Sequence, residues 1–441
     1  MKVCAYVMES YAKANYAKEC HNVRAWPGFE MVIHALRMAG IDVEYAGIAT
    51  VHTFDVVLVS ITSDCDWWPF MAERTKWKRG KYTVIAGGAG VLNVRPFLFV
   101  VDGFVLGRGE NILPAILADH AAGNRHESPS VVWSDSFSMR RRYKIAQAAG
   151  PYPHEFKLTN GKPYREHSIG CPYKCLFCGY TWHRKYIGDG TFTAGADAMN
   201  AGNRERTIID LLKLPPERWQ DDGPLRIVGL DGMSERLRVR VKKRITREML
   251  QEFLRGLASM EKPHQVKLYC IVGYPSETDD EWREFVDDIA AVDGKLKPGK
   301  QWSLLVHFTP FRAMPATPAA PWEMSLRNYR GVVARSLKRV GMRGNVFYQG
   351  NRFWAVEGMG TESLPTVVHS AACLRGTEDD AEAMMTIARA PRYWRAPMRD
   401  REVMLRKMLD VDRLFSGYTW KTLPTRYLRS YTPTATNGVI K

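Results

Sequence analysis

Residues 171–178 read Cys171-Pro172-Tyr173-Lys174-Cys175-Leu176-Phe177-Cys178, three cysteines within eight residues in a CxxxCxxC spacing. That spacing puts three thiolates on one tight loop. Iron–sulfur clusters are usually closed by four thiolates, so a three-cysteine set implies a four-iron cluster with one iron open to another ligand. Two plainer readings fit less well. A structural zinc site takes four ligands, often as two CxxC pairs or with paired histidines, and the nearest histidines, His167 and His183, fit neither layout. A disulfide framework needs a secretory setting, and the opening Met1-Lys2-Val3-Cys4-Ala5-Tyr6 lacks the apolar stretch of a signal peptide.

Outside the loop, the composition bounds the rest. A chain of 441 residues has room for two or three domains, and 45% hydrophobic content supports real cores. No apolar run approaches membrane-spanning length, so no membrane partner is expected. Eight cysteines without an export signal fit a reducing cytoplasm. Cys4, Cys20, Cys65, Cys270 and Cys373 read as small buried hydrophobes. The net charge of +16 points to a polyanionic partner, nucleic acid first, although charge speaks to association and not to chemistry.

The N-terminal third alternates strand and helix. Val3–Met8 reads as a strand, Glu30–Met38 as a helix ending at Gly40, and Val43–Ala46 and Asp55–Ser60 as strands. A helix near Met71–Trp77 and a strand Thr83–Ala86 follow. This alternation predicts a doubly wound parallel sheet, with Gly87-Gly88 at a strand's carboxyl end, where such sheets bind ligands. Residues 126–160, with Ser/Pro content and the run Arg140-Arg141-Arg142, read as a linker. From Tyr164 a βα pattern resumes, with the cysteine loop after its first strand. Within it, Leu225–Gly229 reads as a strand, Arg204–Leu214 as helical, and residues 303–310 as the last strand.

The cysteine run resembles the cluster motif of radical S-adenosylmethionine (SAM) enzymes, including the aromatic Phe177 just before the third cysteine. The resemblance implies a [4Fe-4S] cluster on Cys171, Cys175 and Cys178, whose open iron chelates the amino and carboxylate groups of SAM. It also implies an electron donor such as flavodoxin or ferredoxin. The stretches Ile85-Ala86-Gly87-Gly88-Ala89-Gly90 and Val101–Asn111 resemble the cobalamin-binding-type domain that precedes the barrel in one radical SAM subgroup. The DxHxxG motif that ligates cobalt in many cobalamin proteins is absent. Trp67 and Trp68 follow the third strand, near where a corrin would lie, and would either stack on a flat cofactor or, as favoured here, fill its space; cobalamin is a possible but not the favoured cofactor. The architecture implied is α/β: residues 1–125 a doubly wound, cobalamin-binding-like domain, 126–160 a linker, 161–345 a partial (β/α) radical SAM barrel, and 346–441 a basic, mainly helical region.

Two further segments carry the resemblance. Gly229-Leu230-Asp231-Gly232-Met233-Ser234-Glu235-Arg236 is similar to the family segment that holds the SAM ribose and carboxylate. Carried over by position, Asp231 would sit near the ribose hydroxyls, and Ser234 and Arg236 near the methionyl carboxylate. Gly273-Tyr274-Pro275-Ser276-Glu277-Thr278 resembles the stretch bordering the adenine, which places Gly273 there, with Glu281 set for a capping box. No Gly-Gly-Glu segment for the SAM amino group is found between Ile187 and Leu225.

For the substrate, residues 389–431 hold eleven Arg/Lys against four Asp/Glu, interleaved with Tyr393, Trp394, Phe415, Tyr418, Trp420, Tyr427 and Tyr431. Cations for phosphates and flat rings for unstacked bases make a nucleic-acid surface; a solvated basic face is the plainer alternative. Trp182-His183-Arg184-Lys185-Tyr186 repeats the mixture beside the cysteines. In architecture and charge the chain resembles bacteriophage radical SAM isomerases of thymidine hypermodification, which implies a DNA partner and a host-cytoplasm location. The alternatives are a cobalamin-dependent radical SAM methyltransferase and a non-enzymatic nucleic-acid-binding protein with a structural cluster.

Overall fold

The computed structural model describes residues 1–8 and 27–62, most of 70–138, 143–188, 205–260, 265–288 and 303–319, and the segments 346–349 and 352–356. Trp67, Trp68, Arg140–Arg142, Cys20, Cys65, Cys373 and the basic segment 389–431 lie outside the described residues.

Two six-stranded sheets organise the chain. The first contains β1 (Val3–Tyr6), β2 (Val43–Ala46), β3 (Val56–Ser60), β4 (Thr83–Gly87), β5 (Gly103–Val105) and β6 (Val131–Trp133). Its order is β2-β1-β3-β4-β5-β6. The first five strands run parallel, and β6 closes the edge antiparallel to β5. Side chains alternate between two cores. Val3, Ala5, Val56, Leu58, Ile85 and Val105 enter one, and Cys4, Tyr6, Val57, Val59, Val84 and Phe104 the other. A sheet covered on both faces reads as continuous apolar strands, which is why this part was legible. The first helix, α1 (Pro27–Met38), packs Phe29, Ile33 and Leu36 at helical spacing into the first of these cores. It ends in a Schellman turn at Gly40: Gly40 N–H donates to Arg37 O and Ile41 N–H to Leu36 O, both at 3.0 Å.

The segment read as a linker takes part in this packing. Residues 131–133 form β6, Tyr143 is buried in a sheet core, and Arg108 N–H donates to Ala146 O at 3.2 Å. A short hairpin, β7 (Phe156–Lys157) with β8 (Pro163–Tyr164), is tied to α1 by Thr159, whose N–H and Oγ1 donate to Glu30 at 2.6 and 2.7 Å. The second helix, α2 (Leu113–Ala121), covers the same core as α1.

The second sheet is ordered β13-β14-β12-β11-β10-β9. Its strands are β9 (Glu205–Thr207), β10 (Ile227–Gly229), β11 (Gln265–Val272), β12 (Ser303–Pro310), β13 (Val346–Gln349) and β14 (Arg352–Val356). All neighbours are parallel except the β13–β14 pair. Three readings change. The stretch expected as one helix from Arg204 begins as β9, because its backbone pairs with β10; only α4 (Ile208–Leu211) is helical, started by Thr207, whose Oγ1 accepts from Asp210 N–H at 3.1 Å. β12 does not end the parallel run, since β14 pairs along its other side. The strand expected to lead into the cysteine loop belongs to the β7–β8 hairpin, not to this sheet. Beneath the sheet, α6 (Arg247–Ser259) buries Leu250, Phe253, Leu254 and Leu257, and Trp219 stacks on Phe253. No helix among the described residues is long and apolar enough to cross a membrane.

Candidate active site

An antiparallel bridge between Ile169 and Ile187 closes the base of the cysteine loop. Inside it, the short helix α3 (Gly179–His183) returns two side chains to the loop backbone. Thr181 Oγ1 donates to Cys171 O and Trp182 Nε1 to Cys175 O, both at 2.8 Å. The loop docks on the second sheet at four points. Tyr173 OH donates to Asp210 Oδ1 at 2.6 Å, Leu176 N–H to Val241 O at 2.9 Å, and Ala319 N–H to Leu176 O at 3.0 Å. Leu176 and Phe177 pack against Leu237, Val241, Tyr274 and Phe311. Asp210, Tyr274 and Phe311 follow closely on the carboxyl ends of β9, β11 and β12, while Leu237 and Val241 belong to the connection after β10 and Ala319 to the segment after β12. The three cysteines therefore cross the carboxyl edge of the parallel strands, where α/β sheets collect their chemistry.

Burial dominates the thiols. It pushes Cys171 up to about 11 and Cys175 up to about 12, and it raises Cys178 as well. Lys243 pulls all three down and Asp231 pushes Cys175 and Cys178 up, so this pair sits within electrostatic reach of the loop. Among the described residues, no three His, Cys, Asp or Glu side chains are gathered so as to hold one metal ion. The donors are all sulfur, three on one loop and mutually interacting. Such a set suits the separate corners of an iron–sulfur cluster.

The sequence-predicted ligand contacts gather at the same edge, each with partners of its own. Asp231 follows β10, and its Oδ2 lies 2.5 Å from Lys243 Nζ. Tyr274 OH donates to Asp231 O at 2.8 Å. Ser234 is buried, and its Oγ caps the helix α5 (Glu235–Arg240) by accepting from Leu237 N–H at 3.2 Å. Arg236 pairs with Glu281, to whose Oε1 its Nε donates at 2.8 Å. Glu281 Oε2 in turn accepts from Thr278 N–H at 2.6 Å, the carboxylate half of the expected capping box. Gly273, with φ of 85°, ends β11; its N–H donates to Glu277 Oε2 at 2.8 Å. Lys243 and Tyr274 were missed by sequence reasoning. Lys243 lies in a run, Val241-Lys242-Lys243-Arg244, that carries no signal beyond its charge.

Lys242, the residue before Lys243, adopts φ of 58° at the end of α5. Its N–H donates to Val239 O at 3.0 Å and the Lys243 N–H to Arg238 O at 2.8 Å, a Schellman turn with lysine where glycine is usual. The left-handed region costs a non-glycine residue about 1–2 kcal/mol. Lys242→Gly is expected to raise stability by about 0.5–1 kcal/mol after glycine's greater freedom in the unfolded chain is counted. Urea denaturation of the two proteins measures this as a higher midpoint at unchanged slope.

A second concavity lies at the carboxyl ends of the first sheet. It is a mostly apolar cavity of about 370 Å³, lined among others by Phe29, Leu58, Ile85, Gly88, Arg108 and Glu166. Gly88 has φ of 100° and its missing Cβ would lie 2.3 Å from Ile61 O; at Gly107, with φ of 98°, the clash would be with Ala146 O at 2.4 Å. At its rim Arg108 is buried between two carboxylates. Its Nη1 and Nη2 each donate to Glu166 at 2.7 Å, and Nε donates to Glu110. Burial alone would lower the guanidinium, but the Glu166 hydrogen bonds and the field of Glu110 outweigh it and raise it.

No protein-family model matches the chain, and no curated protein matches it. Among solved structures it is similar to OxsB, described as a cobalamin-dependent S-adenosylmethionine radical enzyme. The form with aqua-cobalamin and S-adenosylmethionine bound matches at 12% identity and a TM-score of 0.38, over 93% of this chain and 71% of that one. The apo, selenomethionine-labelled form matches at 10% identity and a TM-score of 0.24, and the form with aqua-cobalamin alone at 9% and 0.23. These two alignments cover 69% of this chain, and 43% and 44% of those chains. At such scores the likeness carries no weight, and the functional reading rests on the residues themselves.

Proposed function

We propose that the chain is a radical SAM enzyme. The observation that carries this reading is the loop of Cys171, Cys175 and Cys178 lying across the carboxyl edge of a parallel sheet, beside Asp231. Cys171, Cys175 and Cys178 would hold a [4Fe-4S] cluster, which when bound supplies the electron that splits SAM into methionine and a 5′-deoxyadenosyl radical. Such a radical abstracts unactivated hydrogens, so the protein must shield and aim it. Leu176, Phe177, Tyr274 and Phe311 give an apolar wall for that purpose, and Tyr274 OH fixes the turn at Asp231. Asp231 and Gly273 would border the nucleoside of SAM. An external electron donor, a flavodoxin or ferredoxin, is required.

The substrate we favour is a nucleic-acid base or its substituent, with isomerisation of an amino-acid-modified thymidine in phage DNA as the specific reaction. The net charge of +16 and the aromatic-basic segment 389–431 support a nucleic-acid partner. A base in a duplex would have to be extruded to be reached. The cavity at the first sheet favours a second reading, a cobalamin-dependent methyltransferase, because it lies at the carboxyl ends of parallel strands, where α/β sheets bind ligands.

Anaerobic incubation with SAM, reductant and candidate nucleic acids, followed by nucleoside mass spectrometry, separates the two. A product of unchanged mass and shifted retention is the expected result. A gain of one methyl, with stoichiometric cobalt in the reconstituted protein, would replace the isomerase by the methyltransferase.

A further inference from the structure

Asp231 and Lys242 are the two non-glycine residues with positive φ among the described residues. Strained backbone persists where the surroundings over-determine it, and it gathers at ligand sites. Both strained positions serve one ion pair. The turn at Asp231 presents its carboxylate at the end of β10. The turn at Lys242 carries Lys243 back from α5, so that its side chain is 10% exposed with Nζ 2.5 Å from Asp231 Oδ2. The cysteine loop is fastened to the same turn, since Leu176 N–H donates to Val241 O at 2.9 Å. Arg236 is differently placed: its side chain is 52% exposed and committed to Glu281, which Thr278 holds from behind.

We infer that Lys243, and not Arg236, is the cation that receives the methionyl carboxylate of SAM, with Asp231 as the positioning residue that holds the ammonium at the cysteine edge. This assignment rests on the radical SAM reading. An ammonium beside the iron-bearing loop matches a carboxylate that chelates the open iron, and a charge-assisted contact there gives both affinity and register.

The test uses the full chain with its iron restored anaerobically. Equilibrium dialysis compares SAM with its decarboxylated analogue, which keeps the sulfonium and nucleoside. Hydrogen bonds to charged groups contribute enough for about a 10- to 100-fold effect. Wild type should prefer SAM by about that factor. Lys243→Met should lose about 10-fold of this preference, the rest being kept by chelation of the carboxylate at iron, binding SAM more weakly while its affinity for the analogue stays within about 3-fold of wild type. A merely misfolded variant would lose both ligands together. Lys243→Arg should recover part of the preference, and Arg236→Gln should keep it within about 3-fold. Retention of the full preference in Lys243→Met, or its loss in Arg236→Gln, would overturn the assignment. Arg236→Gln decides the point even if Lys243→Met loses its iron. Failure of iron-loaded wild type to bind SAM at all would overturn the radical SAM reading itself, and this assignment with it.

Discussion

Alanine at Cys171, Cys175 or Cys178 is expected to remove iron binding and all SAM cleavage, each substitution alone being sufficient. A cluster already held by three protein sulfurs has no reserve ligand among them, and an iron corner left to water is lost. The surroundings offer no substitute. Among the described residues no group of three metal-ligating side chains is gathered that could take over, and the remaining described cysteines, Cys4 and Cys270, are buried elsewhere in sheet strands. Iron and acid-labile sulfide per chain should fall to near zero in all three variants. Cys270→Ala is the matched control: it removes a thiol that burial holds well above its ordinary value, and it should leave the iron content unchanged. Any of the three variants that keeps full iron and turnover refutes the ligand assignment.

The second large effect falls on stability. Arg108→Met is expected to cost about 3–5 kcal/mol, because it strands the carboxylates of Glu110 and Glu166 in a buried setting. The guanidinium does more than neutralise charge. Its two-pronged bond to Glu166 joins the end of β5 to residues just before the cysteine loop, and Glu166 also accepts from Tyr152 N–H at 2.7 Å. Arg108→Lys should recover only part of the loss, since an ammonium cannot reproduce the fork. Urea denaturation measures both variants. A cycle with Glu166→Gln should show strong coupling, because the residues share one network. A cost under about 1 kcal/mol for Arg108→Met would show that the buried pair is replaceable by packing.

What the sequence disclosed, and what it hid, follows from the range of the interactions. β3 was readable to within one residue because a strand buried on both faces is written in its own residues. The stop of α1 at Gly40 is equally local. β6 was hidden because three residues, Val131-Val132-Trp133, become a strand only by pairing with β5, nearly thirty positions earlier. β9 was hidden for the same reason, its partner β10 lying beyond α4. The cysteine spacing announced its chemistry. The ligand contacts carry over by position alone: Asp231 follows β10, and Arg236, expected near the methionyl carboxylate, donates to Glu281, a partner no local pattern announces. Lys243 became meaningful only once a left-handed turn at Lys242 brought it against a carboxylate twelve positions earlier.

On the proposed reading, the three cysteines hold the initiator of a radical reaction. Its most direct measurement is product formation from SAM alone, with the anaerobically reconstituted chain, excess SAM and a strong one-electron reductant. 5′-Deoxyadenosine and methionine are expected in equal amounts, formed only when reductant is present and absent from the Cys175→Ala variant. A fully iron-loaded protein that binds SAM but yields no 5′-deoxyadenosine under these conditions would contradict it.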